Sequence, residues 1–108
     1  MNFKELATKF EASAAGTDAF KSLYLGAFAE MKADPKHAAL YFIIGIAAQA
    51  YVRQYEDQAV SHELAQRAKL TLQGFNDKVL TALTASPEVA LQLISEVASH
   101  YQLNTSDF

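Results

Sequence analysis

The most constraining feature of this sequence is an apolar segment near its middle. Residues 38–52 contain a single strongly polar side chain, Gln49. As an α-helix the segment would be about 22 Å long, whereas the hydrocarbon core of a bilayer is roughly 30 Å thick. The segment is therefore too short to cross a membrane. A helix that is apolar on every side in a water-soluble protein is surrounded by other helices, so we predict a buried central helix here.

The rest of the chain also favours helix. There are 20 alanines but only four glycines and two prolines among 108 residues, and the β-branched residues do not alternate as they do in strands. Apolar residues instead recur every three or four positions, which defines stripes over 3–10, 20–31, 64–83 and 89–101 on either side of the central segment. Short connections make consecutive helices fold back on one another. We predict an all-α fold: a compact single-domain bundle of about five helices, spanning residues 1–108, around a buried central third helix. We expect residues 103–108 to form a short tail, docked or frayed.

Capping residues mark the predicted helix starts. Asn2, Ser61 and Ser86 each stand where a side-chain oxygen can cap a helix, and Asp34 before Pro35 is expected to do the same for the third helix.

Two glycines carry more specific expectations. Gly16 suits the left-handed position after the first helix. Gly74, inside the fourth helix, is expected to mark the close approach of a neighbouring helix.

The sequence offers little support for catalysis. It has no cysteine, and its isolated glycines form no phosphate-binding loop. The spacing Asp34-x-x-His37 comes near to that of helical metal sites, but Asp34 has a simpler use as a helix cap. We therefore predict no catalytic residue, no metal and no cofactor, and hence a protein that is not an enzyme.

Nucleic acid and membranes are not the expected partners. The pI is near 5.5, and the start of the chain lacks a secretory signal, which indicates a cytoplasmic protein. The polar face of the fourth helix is expected to be solvated and is too evenly charged for a recognition helix; it comprises Gln66, Arg67, Lys69, Gln73, Asn76 and Lys78.

The negative charge is concentrated at the C-terminal end. Residues 1–78 contain nine acidic and nine basic side chains, whereas residues 79–108 contain three acids and neither Lys nor Arg. Two tyrosines one turn apart directly precede an acidic pair at the end of the third helix. Tyrosines beside acidic groups are typical of surfaces that bind basic partners. The candidate partner-binding residues are thus Tyr51, Tyr55, Glu56, Asp57, Glu88, Glu96 and Asp107.

Two hypotheses about function follow. The first is a non-catalytic protein-binding module, in its most concrete form a small acidic inhibitor that occludes a basic toxin or nuclease in the bacterial cytoplasm. In size, acidity and lack of catalytic groups the chain resembles immunity proteins of that kind. The second is a helical domain that self-associates as a homodimer or encloses an apolar ligand. Its basis is the surplus of aromatic residues, seven Phe and five Tyr, which so short a chain cannot bury completely.

Overall fold

The structure, a computed structural model that describes residues 2–103, consists of five α-helices and one short 3-10 helix, with no strand in that range. The helices are α1 (Phe3–Ala12), α2 (Thr17–Ala33), α3 (Ala38–Tyr55), α4 (His62–Leu83) and α5 (Pro87–Leu103), and the 3-10 turn Pro35–His37 precedes α3. The predicted all-α bundle of five helices is confirmed. None of these helices has the length and apolar character needed to cross a membrane. The chain beyond Leu103, which includes most of the predicted tail, lies outside the described residues.

Helix α3 occupies the centre of the bundle, as its apolar sequence predicts. α2, α4 and α5 pack against it, and Phe3 of α1 reaches it through a ring contact with Tyr41, at 5.8 Å between centroids. Ile44, Ala47 and Ala48 on α3 are fully buried. Ala39 and Phe42 are exposed instead, Phe42 to 48%, so α3 is not covered on every side.

Three of the four predicted helix caps are present. Asn2 Oδ1 accepts the Glu5 backbone N–H at 2.9 Å, Ser61 Oγ accepts that of Leu64 at 3.1 Å, and Ser86 Oγ accepts that of Val89 at 3.3 Å. Each oxygen satisfies a backbone donor that has no partner within its own helix. The fourth expectation is wrong, because the carboxylate of Asp34 caps no helix.

The end of α1 differs from the expectation for Gly16. This glycine is extended (φ −168°) and precedes α2, so it does not occupy the left-handed region. Lys69 of α4 explains the difference. Its buried ammonium group donates to the backbone carbonyls of Glu11 and Ser13, the first at 2.8 Å. These hydrogen bonds satisfy carbonyl groups at the end of α1, which a left-handed turn would otherwise do.

The close approaches between helices occur at other glycines than the one predicted. Gly74 faces open space, so the expectation of a neighbour there is wrong. A β-carbon at Gly26 would instead lie 2.3 Å from Leu6 Cδ2, and one at Gly45 would lie 2.2 Å from Phe28 Cε1. These two glycines let α1 and α3 approach α2.

The polar face of α4 is not uniformly solvated, contrary to the prediction. Lys69 is buried at the end of α1, and Asn76 is 2% exposed. Neither the Nδ2 nor the Oδ1 atom of Asn76 has a hydrogen-bond partner among residues 2–103.

Candidate functional site

A groove of about 520 Å³ opens at one end of the bundle, where α1 and α3 begin and α2 and α4 end. Aromatic and aliphatic side chains form part of its wall, and polar and charged groups form the remainder. The lining residues are Asn2, Phe3, Lys4, Glu30, Asp34, His37, Tyr41, Leu80, Leu83 and Thr84. The volume lies within the range of about 300–1,000 Å³ that is usual for small-molecule sites.

A hydrogen-bonded network of Asp34, His37 and Tyr41 lies in this groove. The Tyr41 hydroxyl donates to Asp34 Oδ2 at 2.6 Å, and His37 Nδ1 lies 2.7 Å from the same oxygen. Because Pro35 begins a helical turn directly after Asp34, positions 34, 37 and 41 fall on one face. Tyr41 is 3% exposed, so the network is anchored on the core side by a buried ring.

The network determines the protonation of its members. The hydrogen bond from Tyr41, and then that from His37, lowers the pKa of Asp34 below its ordinary value of 3.8. Burial, and then the hydrogen bond to Asp34, raises the pKa of Tyr41 well above its ordinary value of 10.0. Asp34 is therefore a carboxylate and Tyr41 a neutral phenol at neutral pH. Since a carboxylate can only accept, His37 Nδ1 carries the hydrogen that it shares with Asp34.

The Tyr41 hydroxyl of this network is not activated as a nucleophile. A catalytic hydroxyl needs a base that takes up its proton, or a lowered pKa. The Tyr41 hydroxyl has the opposite property, because the buried phenol is held in its neutral form. Within residues 2–103 no group of three or more His, Asp or Glu side chains is placed to hold a metal ion.

The tyrosines and acids predicted at the end of α3 have different environments. Tyr51 is 1% exposed and its ring stacks on Phe20 at 4.0 Å, so it belongs to the core and is not a surface contact. Burial, and then the nearby Tyr55, raises its pKa. Tyr55 is partly buried against the Tyr51 ring at 4.9 Å.

The acidic pair that follows is exposed. Glu56 Oε1 lies 3.7 Å from Lys21 Nζ, and both side chains are about half exposed. Asp57 has a positive φ of 65°, and it is the sole non-glycine residue with a positive φ in the described part of the chain. The loop therefore presents these acids to solvent, with Lys21 beside the first of them.

The predicted acidic residues of α5 do not join that loop. Glu88 lies in the first turn of α5, whose next turn lines a surface depression together with Lys36 and Leu40 near the start of α3. Because α3 has 18 residues, its two ends are about 27 Å apart. Glu88 and the acidic loop are thus at opposite ends of α3.

The acidity of the C-terminal region is also partly offset. Glu96 Oε1 accepts from Lys78 Nζ of α4 at 3.1 Å, so a base from the neutral part of the sequence neutralises one of the three C-terminal acids. Asp107 lies outside the described residues.

The groove is not evident from the sequence, because an Asp34 that precedes Pro35 also fits the simpler role of a helix cap. The signal that could have revealed it is the spacing of a carboxylate, an imidazole and a phenol at i, i+3 and i+7 around a proline turn. That spacing places the three groups on one helix face.

No protein-family model matches this chain, and neither a curated protein nor a solved structure is detectably similar to it.

Proposed function

We propose that this chain is a non-catalytic binding protein whose ligand is a small, largely apolar molecule held in the groove at the start of α3. The observation that carries the proposal is a groove of about 520 Å³ that ends on the Tyr41–Asp34 hydrogen bond. Apolar walls with a few oriented polar groups are the usual composition of small-molecule sites.

The walls and the polar network have separate roles in this proposal. Leu80 and Leu83 of α4 supply apolar surface, and Phe3 of α1 lines the groove with the 2% of its surface that is exposed. Burial of ligand surface against them provides most of the affinity, because apolar burial contributes about 25 cal/mol per Å². Tyr41 and Asp34 hold each other in one geometry, so they orient the polar end of the ligand with little loss of side-chain entropy.

The test is binding of an uncharged apolar probe, 2-phenylethanol, followed by residue-resolved NMR. We expect its signal changes to centre on Phe3, Tyr41 and Leu83. The variant Leu83→Trp fills the groove and should abolish these changes. The matched control is Leu70→Trp, at a position of α4 that is 57% exposed and does not line the groove.

Circular dichroism of both variants distinguishes a filled groove from an unfolded protein. Probe signals that are unchanged in a folded Leu83→Trp variant, or that lie elsewhere on the bundle, would contradict the proposal.

A second candidate function is retained for the acidic loop after α3. Its exposed acids, with Tyr55 beside them, still suit a basic protein partner, such as a toxin or nuclease that the chain would inhibit by occlusion. The charge-reversed double variant Glu56→Lys/Asp57→Lys should then fail to retain, at low salt, a basic protein that the unmodified chain captures from its native host. Equal retention by both proteins would rule out this surface.

A further inference from the structure

The hydrogen bonds within the groove restrict the chemistry of its ligand. Asp34 Oδ2 accepts hydrogen bonds from the Tyr41 hydroxyl and from His37 Nδ1. The remaining capacity of Tyr41 and Asp34 is the lone pairs of the Tyr41 oxygen and the Oδ1 atom of Asp34. All of these are acceptors.

A second carboxylate strengthens this preference. Glu30, in the last turns of α2, also lines the groove. Its charge, together with that of Asp34, contributes to the raised pKa of Tyr41, which indicates that both carboxylates act on the same end of the groove.

Lys4 is the opposing charge within the lining, and the nearby charge of Lys36 also acts on Asp34. It lines the groove from α1 and its side chain is exposed to solvent. The lining holds two carboxylates and one ammonium group, and the imidazole of His37 is already hydrogen-bonded to Asp34. Exposed charges are strongly screened by water, whereas the two carboxylates are partly buried, so they act more strongly on a bound ligand.

We infer that the groove accepts the protonated amino group of an apolar amine, with Glu30 and Asp34 as its acceptors and the apolar body against Phe3 and Leu83. This inference rests on the proposed function and adds the class of ligand to it.

The experiment compares three probes that share one aromatic ring: 2-phenylethylamine, 2-phenylethanol and phenylacetate. Charge-assisted hydrogen bonds are about twice as strong as neutral ones, so we expect the amine to bind about tenfold more tightly than the alcohol at neutral pH. Phenylacetate should bind more weakly than either. The dissociation constants are measured by NMR titration of the full chain.

Variants that each remove one charge identify the side chains responsible for the preference for the amine. Glu30→Gln should remove most of the advantage of the amine over the alcohol while leaving the binding of the alcohol unchanged, and Lys4→Gln should increase that advantage. Glu56→Gln is the matched control, because Glu56 is about half exposed on the loop after α3 and does not line the groove.

The outcomes separate this inference from the proposed function. Equal binding of amine and alcohol overturns the inference and leaves the groove proposal standing. An amine preference that survives Glu30→Gln, or that is lost in Glu56→Gln, places the charge effect elsewhere and also overturns the inference. Failure of all three probes to bind contradicts both.

Discussion

Two alanine substitutions at helical glycines should change the stability in opposite directions. At Gly26 the new β-carbon would lie 2.3 Å from Leu6 Cδ2, whereas favourable carbon–carbon contacts are about 3.5–4.0 Å. Leu6 would therefore have to move by more than about 1 Å within a filled core. Such overpacking costs about 1–3 kcal/mol, which over most of this range exceeds a helix-propensity gain of about 1 kcal/mol.

Gly74→Ala is the matched control, because it gains the same propensity in open space. The free energy of unfolding should rise by up to about 1 kcal/mol in Gly74→Ala and fall in Gly26→Ala. For a domain of this size we expect the melting temperature of Gly26→Ala to lie at least about 4 °C below that of Gly74→Ala.

The contact itself can be tested by a double substitution. Leu6→Ala removes the overlapping atoms, so the penalty of Gly26→Ala should be smaller in the Leu6→Ala background. Thermal and chemical denaturation measure all of these differences. Equal stability of Gly26→Ala and Gly74→Ala would refute the close approach of α1 to α2.

Two further predictions concern polar groups. Asn76→Leu should raise the free energy of unfolding by about 1–3 kcal/mol in a denaturant titration, because both polar atoms of the buried amide lack partners in the described part of the chain. A loss of stability would contradict this. The carboxyl of Asp34 should titrate below 3.8 by NMR, and in Tyr41→Phe its pKa should move up towards that value. Because the folded-state pKa is lowered, the contribution of Asp34 to stability is present above pH 3.8 and is lost as the pH falls through the lowered pKa. An unchanged titration midpoint of Asp34 in Tyr41→Phe would show that the phenol does not act on this carboxyl group.

The helices could be predicted from the sequence because their signals are local. The spacing of Phe3, Leu6, Ala7 and Phe10 defines a face that is buried in full. The caps at Asn2, Ser61 and Ser86 depend on residues three positions away, which a single sequence displays directly.

The features that the sequence did not reveal depend on contacts between distant segments. Lys69 binds the backbone carbonyl of Glu11 at the end of α1, although the two residues are 58 positions apart in the sequence. The open space around Gly74 is likewise a property of helix packing. Tyr51 and Tyr55 are the same residue type on the same helix, so the sequence does not distinguish them. Tyr51 belongs to the core because its ring stacks on Phe20 of α2.

The groove shows the same division between local and distant information. The face shared by Asp34, His37 and Tyr41 is local and could have been found from the sequence. The apolar wall that completes the groove comes from α1 and α4 and required the tertiary structure.

A crystal structure of the protein with 2-phenylethylamine would test the groove most directly. We predict the ring between Phe3 and Leu83 and the ammonium nitrogen within about 3 Å of a carboxylate oxygen of Glu30 or Asp34. A molecule bound elsewhere on the bundle, or an unchanged groove at a concentration that saturates NMR binding, would contradict the assignment of this groove as the ligand site.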